Sequence, residues 1–125
     1  MDTLTKVFVM LARLLFVIEL ALGTYIWSAY GLPTLNIHIG LGFVMTLVVL
    51  VLAVIALARR MVILGVLGVL IALLTPYIGL KQIPAMAFMP SLGVIQVLHI
   101  VTGLAAIGIA EAIGAKVRKS LRAGC

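Results

Sequence analysis

Residues 34–60 read TLNIHIGLGFVMTLVVLVLAVIALARR. From Thr34 to Ala58 there is no acid, lysine or arginine, and Arg59-Arg60 closes the stretch. An uncharged apolar run longer than about 18 residues is the mark of a membrane-spanning helix. The turn before it, Gly31-Leu32-Pro33, suits a helix start, because the N–H that proline lacks would be unpaired in the first turn anyway.

Similar runs lie on both sides. A first span covers about Val7 to Tyr30 and carries Tyr25, Trp27 and Tyr30 at one end, where amphipathic rings settle at headgroup level. A third span covers about Met61 to Ile78, and its Gly65 and Gly68 permit close approach of a neighbouring helix. Gly79 to Pro90 is expected to form an apolar connection, with Met86, Phe88 and Met89, lying in the interface or capping the bundle. The fourth span covers about Ser91 to Ala115, and a basic tail follows from Lys116 to Arg122. The predicted fold is all-α: one transmembrane domain over 1–125, an integral membrane four-helix bundle running up-down-up-down.

With 66% hydrophobic and 10% charged residues, a soluble globular fold is excluded. The net charge of +6 does not point to nucleic acid, because the basic residues flank the spans. Lys6, Arg13, Arg59, Arg60, Lys116, Arg118, Lys119 and Arg122 gather on one side, and Lys81 stands alone on the other. Cytoplasmic loops collect lysine and arginine, so both termini are expected in the cytoplasm of a prokaryotic plasma-membrane protein. The tail also offers attraction to anionic lipid. Lys6 and Arg13 before an apolar run resemble a signal peptide, but no small-x-small site follows, so the segment is expected to be retained. The lone cysteine, Cys125, allows no intramolecular disulfide.

The two histidines, His38 and His99, carry the functional reading. Each opens a His-x-x-x-Gly pattern, with Gly42 and Gly103 as the glycines. Positions i and i+4 share a helix face, so a bare patch of backbone beneath each ring would admit a flat, bulky ligand. In the predicted bundle spans two and four are parallel and diagonal, and the rings lie roughly 6 and 12 Å from the outer helix ends. Zinc wants three or four protein ligands, whereas haem iron needs only two axial ones. The expected cofactor is therefore one haem b, with His38 and His99 as iron ligands. The competing reading is a pair of hydrogen-bonding residues between helices.

Candidates to orient the imidazoles are Asn36, Thr24, Thr75, Gln96 and Thr102. Lys81 is the candidate propionate partner, with Tyr30, Tyr77 and Gln82 behind it. Glu19 and Glu111 are placed in the cytoplasmic half, away from the histidines, as packing contacts or partners of basic residues, or else as a proton path or quinone-side site. Met45 shares a face with His38 and is expected to pack. A faint repeat matches Thr24-Tyr25-Ile26 with Pro76-Tyr77-Ile78, each ahead of a histidine helix.

Glu19-Leu20-Ala21-Leu22-Gly23, His38 at the start of span two and Val97-Leu98-His99 in span four together resemble one half of the haem A synthase family. Those proteins have two four-helix bundles, each with a histidine pair on its second and fourth helices, and the resemblance implies haem binding by His38 and His99. The chain departs from that family at Leu35 and Ile39, where an acid and a basic residue are usual, and it lacks the outer-loop cysteine pair many members have. Val94 to His99 and Gly108-Ile109-Ala110-Glu111 also resemble small four-helix membrane proteins for which no activity is implied. The leading reading is a bis-histidine b-type cytochrome engaged in electron transfer with a quinone or a redox partner protein. A compact haem A synthase-like oxidoreductase and a cofactor-free accessory subunit are the alternatives, and the glycine-bearing helices are compatible with a homodimer.

Overall fold

A computed structural model describes residues 2–27, 32–88 and 92–124, apart from the side chains at 32, 83–88 and 92. The described residues form four α-helices: α1 (Thr3–Trp27), α2 (Leu35–Ala58), α3 (Val62–Phe88) and α4 (Leu92–Ala123), with a 3-10 turn at Leu32–Thr34. All four are long and apolar enough to cross a membrane. Even α2, at 24 residues, rises about 36 Å against a hydrocarbon core of about 30 Å.

The helices form an up-down-up-down bundle with an unequal cross-section. Each helix packs on its neighbours in sequence, α1 also meets α4, and α2 touches α4 across the middle, whereas α1 and α3 do not meet among the described residues. The α2–α4 diagonal is thus the short one, and it joins the two histidine helices.

Two boundaries differ from expectation. The segment from Gly79, expected as a connection, is helical to Phe88, so α3 runs on through Pro76 and Pro84. At membrane depth no water satisfies freed backbone groups, and one missing bond per proline costs less than an open loop. The tail after Ala115 is also helical, to Ala123. The expectations for Tyr30, Met89, Pro90 and Cys125 lie outside the described residues.

Local chemistry sets the helix ends on the side where α1 begins and α4 finishes, the inner side in the expected orientation. Asp2 accepts hydrogen bonds from the backbone N–H and the hydroxyl of Thr5, both at 2.8 Å, and so caps α1. Those bonds, with help from the Arg59 guanidinium that pairs with it, hold the Asp2 carboxyl below its usual range. Helix α2 ends in a Schellman turn: Met61 N–H bonds Ala56 O at 2.8 Å, Arg60 N–H bonds Leu57 O at 2.9 Å, and Arg60 adopts φ 59°.

The inner half of the bundle is packed. Val9, Ala12 and Leu15 of α1 meet Val48, Leu52 and Ala56 of α2 and Ala110, Ile113 and Val117 of α4 in one buried cluster. A smaller cluster of Val49, Ala72 and Ala106 lies against it. Helix α3 presses on α2 through its glycines: a Cβ on Gly65 would fall 2.6 Å from Leu57 Cδ2, and one on Gly68 would fall 2.8 Å from Ala53 Cβ. Large apolar side chains such as Val17, Leu47, Val54 and Ile63 are exposed on the outside, where the acyl chains lie.

Candidate functional site

Above the packed half lies a cavity of about 580 Å³. It is lined by a polar residue and a glycine four positions later from each helix: Glu19 and Gly23, His38 and Gly42, Thr75 and Gly79, His99 and Gly103. The i, i+4 spacing sets both members of a pair on one face, so four such faces converge.

The His38 and His99 rings lie 6.1 Å apart between centroids, with their planes at 80°. One metal ion held between two imidazoles needs two bonds of about 2 Å. Adding about 1 Å from each nitrogen to its ring centre gives a centroid separation of about 6 Å. The perpendicular planes are those of an edge-to-face pair.

Each ring is supported from the helix preceding its own. His99 Nδ1 lies 3.2 Å from the Thr75 carbonyl oxygen. That oxygen can only accept, so Nδ1 carries the proton and Nε2 keeps its lone pair. His38 Nδ1 lies 2.8 Å from Glu19 Oε2. The approach is off-axis for a ring N–H, and among the described residues neither Nδ1 nor the second carboxylate oxygen, Oε1, has a hydrogen bond. The Glu19 side chain is only 15% exposed, which makes an unpartnered oxygen there costly.

Gly79 on α3 makes room for the His99 ring, whereas Gly23 on α1 lies at ordinary contact distance from the His38 ring. A Cβ on Gly79 would stand 2.8 Å from His99 Cε1, and one on Gly23 would stand 3.5 Å from His38 Cε1. The glycines singled out from the sequence act otherwise. Gly42 faces Glu19 Oε2, at 3.6 Å from a built Cβ, and a Cβ on Gly103 would meet nothing within 4 Å.

Glu19 is not away from the histidines. Helix α1 ends at Trp27, so Glu19 lies about 12 Å from its outer end, at histidine depth. An acid therefore does stand beside His38, although no group of three or more His, Cys, Asp or Glu side chains among the described residues is placed to hold a metal. Glu111 does partner a basic residue: Arg13 Nη2 donates to its Oε2 at 2.8 Å, and Arg13 Nε donates to Oε1.

Of the orienting candidates, Thr75 acts through its carbonyl. Its hydroxyl bonds Ile71 O, as the Thr24 hydroxyl bonds Leu20 O and the Thr102 hydroxyl bonds His99 O. Gln96 lines the cavity and Asn36 does not. Lys81 and Tyr77 do not line it either: Lys81 Nζ stands 5.4 Å over the Tyr77 ring, while Gln82 does line the cavity. Met45 packs against both core clusters.

The chain matches no family model, no curated protein and no solved structure. Two helical hairpins, α1–α2 and α3–α4, each supply a supporter, a glycine and a histidine. The tyrosine echo, Tyr25 with Tyr77, is one helical turn out of step with this equivalence, which pairs Gly23 with Gly79. The signal that would have found Glu19 and Thr75 is the repetition of polar-x-x-x-Gly on every span.

Proposed function

We propose that this protein is a membrane b-type cytochrome that holds one haem b between His38 and His99, near the outer face. The observation carrying the proposal is the 6.1 Å approach of the two rings across the α2–α4 diagonal, facing one cavity. The cavity volume of about 580 Å³ lies within the range usual for cofactor sites, about 300–1,000 Å³. The close approach of Gly79 to the His99 ring and the contact of its Nδ1 with the Thr75 carbonyl suit ligation through Nε2.

Held there by His38 and His99, the haem would supply one-electron chemistry. The chain's own part is to orient the rings. The Thr75 carbonyl holds His99 by a neutral acceptor, whereas Glu19 sets a carboxyl against His38, so the two ligands are unequally supported. Electron exchange with a quinone or a redox protein, residence in a prokaryotic plasma membrane with both termini cytoplasmic, and homodimer formation belong to the same proposal, the orientation resting on the basic inner end.

A second reading has one observation in its favour. Rings at 6.1 Å and 80° also satisfy an edge-to-face contact without any ion, as a cofactor-free accessory subunit would use. Purification from cells with full haem supply separates the readings. One haem b per chain is expected, and protein lacking haem overturns the cytochrome. Hydroxylated or formylated haem in the extract would replace it with the haem A synthase-like enzyme.

A further inference from the structure

At the opposite end from the histidines, α1 and α4 leave a recess of about 210 Å³ between them. Its lining carries three cations, Lys6, Arg13 and Arg118, and one acid, Glu111. Arg13 and Glu111 neutralise one another through two parallel hydrogen bonds. Arg118 bears on Glu111 electrostatically without bonding it. Two positive charges, from Lys6 and Arg118, are therefore not cancelled within the recess.

The shape suits a lipid. Gly114 and Ala115 form part of the lining, and such small residues leave space between the helices, while the exposed Met10 adds apolar surface along α1. Lys6 lies in the first turn of α1 and Arg118 in the last two turns of α4, so both belong to the water-facing end. Arg13 is about 15 Å from the start of α1, deep enough that its charge needs both Glu111 and a reach toward the headgroups. Basic pockets between helices on this face of a membrane recognise phospholipid phosphates.

We propose that this recess is a binding site for the phosphodiester of an anionic phospholipid, held by Lys6 and Arg118 with Arg13 behind them, its acyl chains lying along the exposed Met10. A zwitterionic phospholipid brings its own ammonium group to a cationic wall and is disfavoured. The lipid seals the α1–α4 seam, which the Arg13–Glu111 pair otherwise bridges.

Native mass spectrometry of the detergent-purified full chain, titrated with phosphatidylglycerol or phosphatidylcholine, tests this without reference to haem. One phosphatidylglycerol is expected to be retained at least tenfold more tightly than phosphatidylcholine. The double variant Lys6→Gln, Arg118→Gln should lose that preference, and Lys119→Gln, Arg122→Gln should keep it. Equal retention of the two lipids by the unaltered chain overturns the proposal, whatever the variants do. So does equal loss in both double variants, which would mean a diffuse attraction of the basic tail. Displacement by millimolar inorganic phosphate would reassign the recess to a free anion and overturn the lipid source.

Discussion

The inner and outer halves of this bundle use the same four helices for opposite purposes. Inside, Leu52, Ala53 and Ala56 have no exposed surface, and α2 and α3 approach so closely that Gly65 and Gly68 tolerate no side chain. Outside, the first three turns of α2 contain no buried residue, and the helix faces surround space. Lipid tails are as apolar as leucine, so tight packing rather than water exclusion must hold such a bundle together. The packed half supplies that cohesion, which lets the other half remain hollow.

Leu52→Ala should strike the packed half alone. Opening a void in that cluster is expected to lower unfolding free energy by about 2–3 kcal/mol, toward the low end of core truncations. Leu104→Ala at the cavity rim, where the side chain is already half exposed, should change it by less than about 0.5 kcal/mol. Unfolding in mixed micelles measures both, and equal losses would erase the distinction between the halves.

In the hollow half Glu19→Leu should do the reverse. On the proposed function, removing the carboxyl that stands beside His38 Nδ1 is expected to weaken haem retention by about 10–100-fold while leaving helix content intact. Haem titration and circular dichroism on the same samples test the split. Unchanged retention would assign Glu19 a packing role only.

The packed and hollow halves were unequally legible in the sequence. Charge-free apolar runs closed by Arg59-Arg60 mark the spans directly, and the common direction of spans two and four brings His38 and His99 to one diagonal. Glu19 was misplaced because its depth depends on where α1 ends, and the spread of Tyr25, Trp27 and Tyr30 along the sequence blurs that end by a turn. The extension of α3 was hidden because Pro84 and Lys81 read as loop residues, although in lipid the helix is the cheaper state. Gly23 and Gly79 were missed because the glycine beside a ring sits on the preceding helix, a pairing that spacing within one helix does not reveal.

Smaller effects belong to the inner end. Arg60 holds φ 59° without being glycine, so Arg60→Gly should stabilise the α2–α3 turn by about 1 kcal/mol, read as a rise in the unfolding midpoint. A fall would mean that its charge at the membrane face outweighs the relief of strain.

Asp2→Ala should cost about 0.5–1 kcal/mol through loss of the α1 cap. The Asp2 carboxyl is depressed in the folded chain, so its contribution is present above the usual aspartate pKa of about 4 and fades as pH falls through the folded value. The unaltered chain should therefore lose stability below about pH 4 more steeply than Asp2→Ala, and parallel pH profiles would show that the cap contributes nothing.

The most direct test is the reduced-minus-oxidised absorbance spectrum of the purified protein beside His38→Ala and His99→Ala. Sharp α and β bands in the unaltered chain, lost in each single variant, are the predicted result. A colourless protein from haem-replete cells, or bands that survive either substitution, would contradict the ligation of one haem by these two rings.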